Sequence, residues 1–264
     1  MYIRREFSSV ESMNISCIII TYNEEKNIER CIKALQEVAD EILVVDSFST
    51  DKTKEICLKY NTRFVENKFE GYNEQKNFAV ELATYKYILS VDADEVVSDR
   101  LKKSILEVKN NWKADGYYFN RLTNYCGHWI KHGGWYPDQK LRLFDSRKGT
   151  FGGINPHDKY IMQEDAKIQY IKGDLLHYSY YTIAEHINQV NKFTETSAKE
   201  AIKRGKKSSI LKIIFSPIWK FIRDYFLRMG FLDGYYGFII SVISSHTTFI
   251  KYIKIYELEQ NTKS

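Results

Sequence analysis

The sequence predicts an α/β domain on a mostly parallel sheet flanked by helices, followed by a C-terminal helical segment, and three observations predict it. Short apolar runs alternate with stretches of helical periodicity over the first hundred residues. Three of these runs end in polar or acidic residues, at Thr21-Tyr22-Asn23-Glu24, Asp46-Ser47 and Asp92-Ala93-Asp94-Glu95. A chain of 264 residues with 44% hydrophobic content can fill one large core with appendages or two small ones.

Ile15–Thr21 is a continuous apolar run, the pattern of a strand covered on both faces, and Ile28, Ile32 and Leu35 mark one face of the helix after it. Glu41–Val45 repeats the strand pattern and ends at Asp46, beyond which Ser49 or Thr50 can cap a helix carrying Ile56 and Leu58. Arg63–Glu66 is a short third strand. Gly71-Tyr72 opens a helix with Asn77, Phe78 and Leu82, and Tyr87–Val91 is the central strand that stops at Asp92, Asp94 and Glu95. Strand-helix-strand order implies right-handed crossovers and parallel pairing. Ligands of open parallel sheets bind beyond the carboxyl ends of the strands, so the three polar strand ends converge on one edge.

Carboxylates as close as Asp92 and Asp94 repel one another unless a cation or proton lies between them. Hard oxygen ligands favour Mg²⁺ or Mn²⁺, shared with a phosphate. An acidic turn that merely starts the next helix explains a lone D-x-D better than a metal does; three polar strand ends together favour a site. Asp46 suits a base or ribose, because a carboxylate accepts from N–H and O–H donors. No G-x-G-x-x-G follows the first strand and no G-x-x-x-x-G-K-[ST] occurs, so dinucleotide and P-loop readings lose their main support.

Ser98–Val108 reads as a capped helix and Gly116–Leu122 as a strand. Cys126–Pro137 then sets His128, Trp129, His132, Trp135 and Tyr136 among three glycines, suited to stacking on sugar faces or to a small apolar core. Asp138, a strand at Lys140–Phe144 and a loop at Gly152–Asp158 follow. Thr182 and Glu185 fit a capping box for a helix running to about Arg204. In Ile210–Ile255 apolar residues are interleaved with Lys212, Lys220, Arg223 and Arg228, which fits a membrane interface, a covering helical subdomain or a dimer.

A net charge of +5 permits an anionic partner, but no nucleic-acid-binding motif occurs. The four cysteines lie far apart without C-x-x-C spacing, which points to a reducing compartment. Residues 1–12 lack the apolar core of a signal peptide, and eighteen uncharged apolar residues never run together. The expectation is a cytoplasmic protein with a peripheral place on the inner face of the cytoplasmic membrane.

The segments ISCIIITYNEE (Ile15–Glu25), ILVVDSFSTD (Ile42–Asp51), KNFA (Lys76–Ala79) and LSVDADE (Leu89–Glu95) resemble the nucleotide-sugar-binding half of family 2 inverting glycosyltransferases, of the GT-A fold. GWYPDQKLRLF (Gly134–Phe144), LLHYSY (Leu175–Tyr180) and GFLDGYYG (Gly230–Gly237) resemble the lipopolysaccharide core-biosynthesis enzymes within that family. The resemblance covers roughly residues 13–256. It implies that Thr21, Asn23, Glu24 and Asp46 hold the nucleoside, that Lys76 approaches the base or phosphate, and that Asp92 and Asp94 hold ribose and metal. UDP is the implied carrier. His157 or His177 would be a further metal or phosphate ligand, and Trp135 and Tyr136 would meet the acceptor.

Inverting transfer is a one-step displacement in which a single carboxylate takes the acceptor's proton. Asp158 is the first candidate and Asp138 the second, both downstream of the acid cluster; the family resemblance implies His-Glu where this chain has His157-Asp158. The expected organisation is an N-terminal extension (1–12), a GT-A domain (13–180, donor half 13–97 and acceptor half 98–180) and a helical region (181–264). The expected partners are a nucleotide-sugar donor, a lipopolysaccharide core or related surface-glycan acceptor, and a membrane surface. Transfer to another glycan or a polyprenyl phosphate is the alternative. A sugar nucleotidyltransferase would need glycines that Tyr22–Lys26 lacks, and a non-catalytic membrane-associated binding protein would not need the strand-end acids.

Overall fold

A computed structural model describes residues 13–154 and 157–261, with the side chains of Ile154, His157 and Asp158 outside that description. The chain forms two compact units. One runs through Arg121 and resumes at Gln139–His177; the other combines Leu122–Asp138 with Tyr178 onward. Relative to the expected boundary after residue 180, the aromatic segment 122–138 joins the C-terminal unit.

The first unit begins β1 (Ile15–Thr21), α1 (Ile28–Leu35), β2 (Glu41–Asp46), α2 (Thr53–Lys59), β3 (Arg63–Glu66), α3 (Tyr72–Leu82) and β4 (Tyr87–Asp92). β5 (Glu95–Val97), α4 (Asp99–Asn110), β6 (Gly116–Tyr125), β7 (His128–Ile130) and β8 (Asp138–Asp145) follow, then β9 (Gly149–Ile154), β10 (His157–Met162) and β11 (Ile168–Tyr180). Strand order in the main sheet is β3-β2-β1-β4-β8-β6-β11-β5, with β7 paired to β6. β1 lies parallel to both β2 and β4, with Thr21 opposite Asp46 and Ile20 opposite Asp92. β8 runs antiparallel to β4, and β5 antiparallel to β11.

This register follows from burial. Ile15, Cys17, Ile18 and Ile19 are all buried, so consecutive residues of β1 face apolar layers on opposite sides of the sheet. α1 covers one face through Ile28, Cys31, Ile32 and Leu35, the i, i+3, i+4, i+7 stripe of an amphipathic helix. Each fully buried aliphatic side chain contributes about 1.5–3 kcal/mol of transfer free energy, which makes a one-residue slip of β1 costly.

Three local expectations are corrected. Neither Ser49 nor Thr50 caps α2: its N-cap is Lys52 without a side-chain bond, and Asp51 accepts from the Thr53 N–H at 2.9 Å and hydroxyl at 2.6 Å. Of the expected loop at Gly152–Asp158, Gly152–Ile154 and His157–Asp158 are strand, because β9 and β10 pair antiparallel with Asp158 opposite Gly153; Asn155 and Pro156 lie outside the described residues. β11 went unread because its buried residues, Ile171, Gly173 and Leu175, alternate with the exposed Lys172 and half-buried Asp174. β11 is clasped to α4 by Ser98, whose Oγ accepts from the Leu101 N–H at 3.3 Å and the Asp174 N–H at 3.2 Å.

In the second unit, α5 (Ile183–Lys203) starts with the full Thr182/Glu185 capping box. α6 (Ile210–Phe221) runs on through a π-helical stretch (Ile222–Leu227), a 3₁₀ turn (Gly230–Asp233) and α7 (Gly234–Asn261). Ile210–Leu227 and Gly230–Asn261 meet at a 71° bend, and no single helix among the described residues is long and apolar enough to cross a membrane. A small core here joins Tyr125, Ile130 and Ile240 with Trp135, Tyr180 and Tyr236. His186 is buried among these rings, its Nδ1 3.0 Å from the Tyr125 hydroxyl. Burial pushes its imidazole down to about 4.

Two outcomes are expected. Gly173 has φ of +112°, and an added Cβ would collide with the backbone N and Cα of Leu101. Gly173→Ala should therefore lower the stability of the first unit by about 1–3 kcal/mol or more in urea denaturation; an unchanged midpoint would contradict the close approach. His186 is neutral when folded, whereas the unfolded chain takes up a proton near pH 6.5. Between pH 6.5 and about 4 the unfolded state thus binds more protons, and stability should fall by up to about 1.4 kcal/mol per pH unit on acidification. His186→Gln, which can still hydrogen-bond Tyr125, should flatten that slope.

Candidate active site

The carboxyl ends of β1, β2 and β4 meet in the first unit. At the β1 end Thr21 is buried, and its Oγ1 has no hydrogen-bond partner among the described residues. Its register partner Asp46 is 1% exposed and accepts from the Ser49 N–H at 2.7 Å and the Ser49 hydroxyl at 2.5 Å. Two bonds leave the Asp46 carboxylate with acceptor capacity to spare.

The loop after β1 is held by the loop after β2. The Asn23 N–H donates to Ser49 Oγ at 2.8 Å, and Asn23 Oδ1 accepts from the Thr50 N–H at 2.8 Å. The Glu24 N–H donates to Thr53 Oγ1 at 2.8 Å and the Glu25 N–H to Asp51 Oδ2 at 3.0 Å. Asn23 has φ of +54°, a left-handed conformation Asn tolerates better than most residues. Thr21, Asn23, Glu24 and Asp46 are thereby brought together, with the Asn23 carbonyl spent on the neighbouring loop.

At the β4 end Asp92 lies between two buried cations, Lys76 Nζ at 2.9 Å and Arg142 Nη2 at 2.6 Å. Burial alone would raise its pKa, but Arg142 and Lys76 outweigh that and hold the carboxyl well below the usual range. Glu95 is fully buried; it accepts from the Asp92 N–H at 2.9 Å and faces Arg142 and Arg121, each at 3.4 Å. Asp94 Oδ2 lies 3.1 Å from His177 Nε2. Glu24 belongs to the same acid group: burial first, then Asp94, Asp51 and Asp92, push its carboxyl up to about 6 against a hydrogen bond from Asn27 that lowers it.

The sequence sets Arg142 in a basic strand beside Asp138, whereas the structure pairs it with Asp92 and Glu95; Arg121 and the structural role of Glu95 carry no local signal. The available signal was Arg142 itself, a charge between Leu141 and Leu143 in a strand otherwise destined for burial. Lys76, expected beside a base or phosphate, is 3% exposed at its side chain and turned to Asp92.

Helix α3 also carries the β9–β10 hairpin. Asn77 Nδ2 donates to the Phe151 carbonyl at 3.0 Å, its Oδ1 accepts from the Phe151 N–H at 2.9 Å, and Asn73 Nδ2 donates to the Gly153 carbonyl at 3.2 Å. Lys76 Nζ stands 5.6 Å from the centre of the Phe151 ring. The helix that fixes Asp92 thus also fixes the hairpin bearing His157 and Asp158, whose side chains lie outside the described residues. Asp138, Trp135 and Tyr136 belong to the second unit. There Trp135 is half-buried, its ring edge-on to Tyr125 at 5.9 Å and 6.0 Å from His186.

Residues 16–167 match the family model Glycosyl transferase family 2. A glycosyltransferase of Rickettsia typhi is 31% identical over 261 residues, covering 95% of this chain and 89% of that protein. Its counterpart in Rickettsia bellii is 33% identical over the same coverage. The lipopolysaccharide core biosynthesis glycosyltransferase LpsC of Rhizobium meliloti is 29% identical over 94% of each chain. Among solved structures, S. aureus TarS 1–349 in complex with UDP-GlcNAc aligns with 95% of this chain and 92% of its own at 16% identity and a TM-score of 0.46. The matched span holds the strand ends and the Asp92–Arg142 network, and with relatives alike over nearly the whole chain it shows that this enzyme belongs to glycosyl transferase family 2.

Proposed function

We propose that this glycosyltransferase moves a sugar, with inversion, from a UDP-linked nucleotide-sugar to a lipopolysaccharide core or related surface glycan, using Mg²⁺ or Mn²⁺ beside the donor diphosphate. The single observation that carries the donor side is the acid group at the β4 end: an ionised Asp92 fixed by Lys76 and Arg142, next to Asp94 and a Glu24 raised to about 6 by its surroundings. Similarity to LpsC supports the acceptor class.

The donor set suits such a cation. Asp94 offers a carboxylate oxygen beside His177, and among the described residues no group of three metal-type side chains forms a closed cage. Mg²⁺ is commonly held this way, by one or two carboxylates with the remaining positions taken by water and phosphate oxygens. When bound, the metal supplies charge neutralisation on the departing diphosphate. Asp94 would hold it, with His177 beside it and His157 of the hairpin as the further candidate ligand. Asp92, kept ionised by its two cations, is an acceptor for ribose hydroxyls; Thr21, Asn23, Glu24 and Asp46 frame the nucleoside. Lys76 and Arg142 add positive charge behind the diphosphate position.

The acceptor's hydroxyl proton goes to one carboxylate. Asp158 is our assignment, supported by the bonds that tie its hairpin to the helix holding Lys76 against Asp92; Asp138, opening β8 in the other unit, is the second candidate. Trp135 and Tyr136 are the acceptor-contacting aromatics. We place the reaction in the cytoplasm, which suits a chain whose four cysteines are all free.

A panel of nucleotide-sugars assayed for metal-dependent binding and slow hydrolysis tests the donor reading. Asp94→Asn should abolish turnover and metal-dependent donor affinity while leaving the circular dichroism spectrum unchanged. Full turnover of that variant in chelator would remove the metal from the mechanism. For the base, Asp158→Asn keeps the shape and removes the basicity, so turnover should fall about 10²–10⁴-fold with donor affinity nearly unchanged. Near-normal turnover of Asp158→Asn, with loss in Asp138→Asn, would exchange the two roles.

A further inference from the structure

We propose that the bent helical pair of α6 and α7 is a docking surface for an anionic lipid bilayer, with α6 lying in the plane of the interface. The inference rests on the C-terminal unit alone and is independent of the donor reading. α6 leaves its apolar side open to water along its whole length: Ile210, Leu211, Phe215 and Trp219 are 64%, 67%, 61% and 57% exposed. At about 100° per residue the exposed apolar positions from 210 to 222 fall within roughly half a turn. On either side of the bend Leu227 and Tyr235 are also open to water, 63% and 65% exposed. Soluble chains rarely leave so large a contiguous apolar face uncovered.

Charge says what covers it. From Lys203 to Arg223 there are seven basic residues and no acid. The next residue, Asp224, is buried and draws Lys220, Arg223 and Arg228 around it, three cations for one carboxylate. Lys212 and Arg223 flank Trp219 at one edge of the apolar arc, the arrangement of helices that rest at the headgroup level. Cations recur from Lys212 to Arg228, so an α6 standing across the bilayer would carry some into hydrocarbon, whereas one lying flat lets each reach the headgroups. A second copy of this chain fits poorly, because an isologous contact would bring the acid-free stretch against itself.

The test uses the intact protein with vesicles of phosphatidylcholine, alone or mixed with phosphatidylglycerol. Sedimentation should be at least about tenfold stronger on the anionic vesicles and should weaken as salt rises. Phe215→Ser combined with Trp219→Ser alters two exposed positions, so the circular dichroism spectrum and vesicle-free donor hydrolysis should be unchanged while partition falls about tenfold or more. Lys203→Gln, Lys206→Gln and Lys207→Gln together should erase the anionic preference. Wild-type tryptophan emission should shift to the blue on vesicles, and the shift should be lost in Trp219→Phe. Equal sedimentation of the Ser variant and wild type would overturn the proposal. So would absence of vesicle binding together with a dimer, seen by light scattering, that the Ser variant dissociates; the face would then join two copies of the chain.

Discussion

The ion network around Asp92 is the constraint on which the acid cluster at the β4 end depends. Lys76 and Arg142 are both nearly inaccessible to water, and a buried cation is costly unless a carboxylate is paired with it. Removing one member of such a buried pair typically costs about 3–5 kcal/mol, because the other is left uncompensated. The network also spans the architecture. Asp92 ends a parallel strand, Glu95 begins a short antiparallel one, Arg142 comes from β8, Arg121 from β6 and Lys76 from a crossover helix. The acids cannot be reshaped without disturbing the junction between the parallel and antiparallel parts of the sheet.

What could be read from the sequence follows the same division. β1, β2 and β4 are legible because they are covered on both faces, and their burial appears as unbroken apolar runs ending where the acids begin. β5, β9, β10 and β11 are short, glycine-bearing or alternating with charge, so no local period separates them from loop. Long-range pairing was illegible for a different reason. Arg142 meets Asp92 from fifty residues away, and nothing in the spacing of either motif reports the other. The acid cluster was visible as chemistry; its cations became visible only as geometry.

Two residues show how the same letter can serve two ends. Ser49 looks like a helix cap, and instead its hydroxyl donates to Asp46 and accepts from the Asn23 backbone. Trp135 sits in an aromatic, glycine-rich stretch suited to sugars, yet one part of its ring already packs against Tyr125 and His186. In both cases tertiary contacts, which local composition does not report, chose the partner.

The Ser49 bridge ties two loops into one unit of change. One hydroxyl, with a single proton to give, satisfies the loop after β1 and the loop after β2 at once, and Asn23 returns the contact through the Thr50 backbone. The two loops are therefore one module in structure. Neither can be exchanged, lengthened or diversified on its own without stranding polar groups of the other, so any chimera at this strand edge must carry 21–27 and 46–53 as a matched pair.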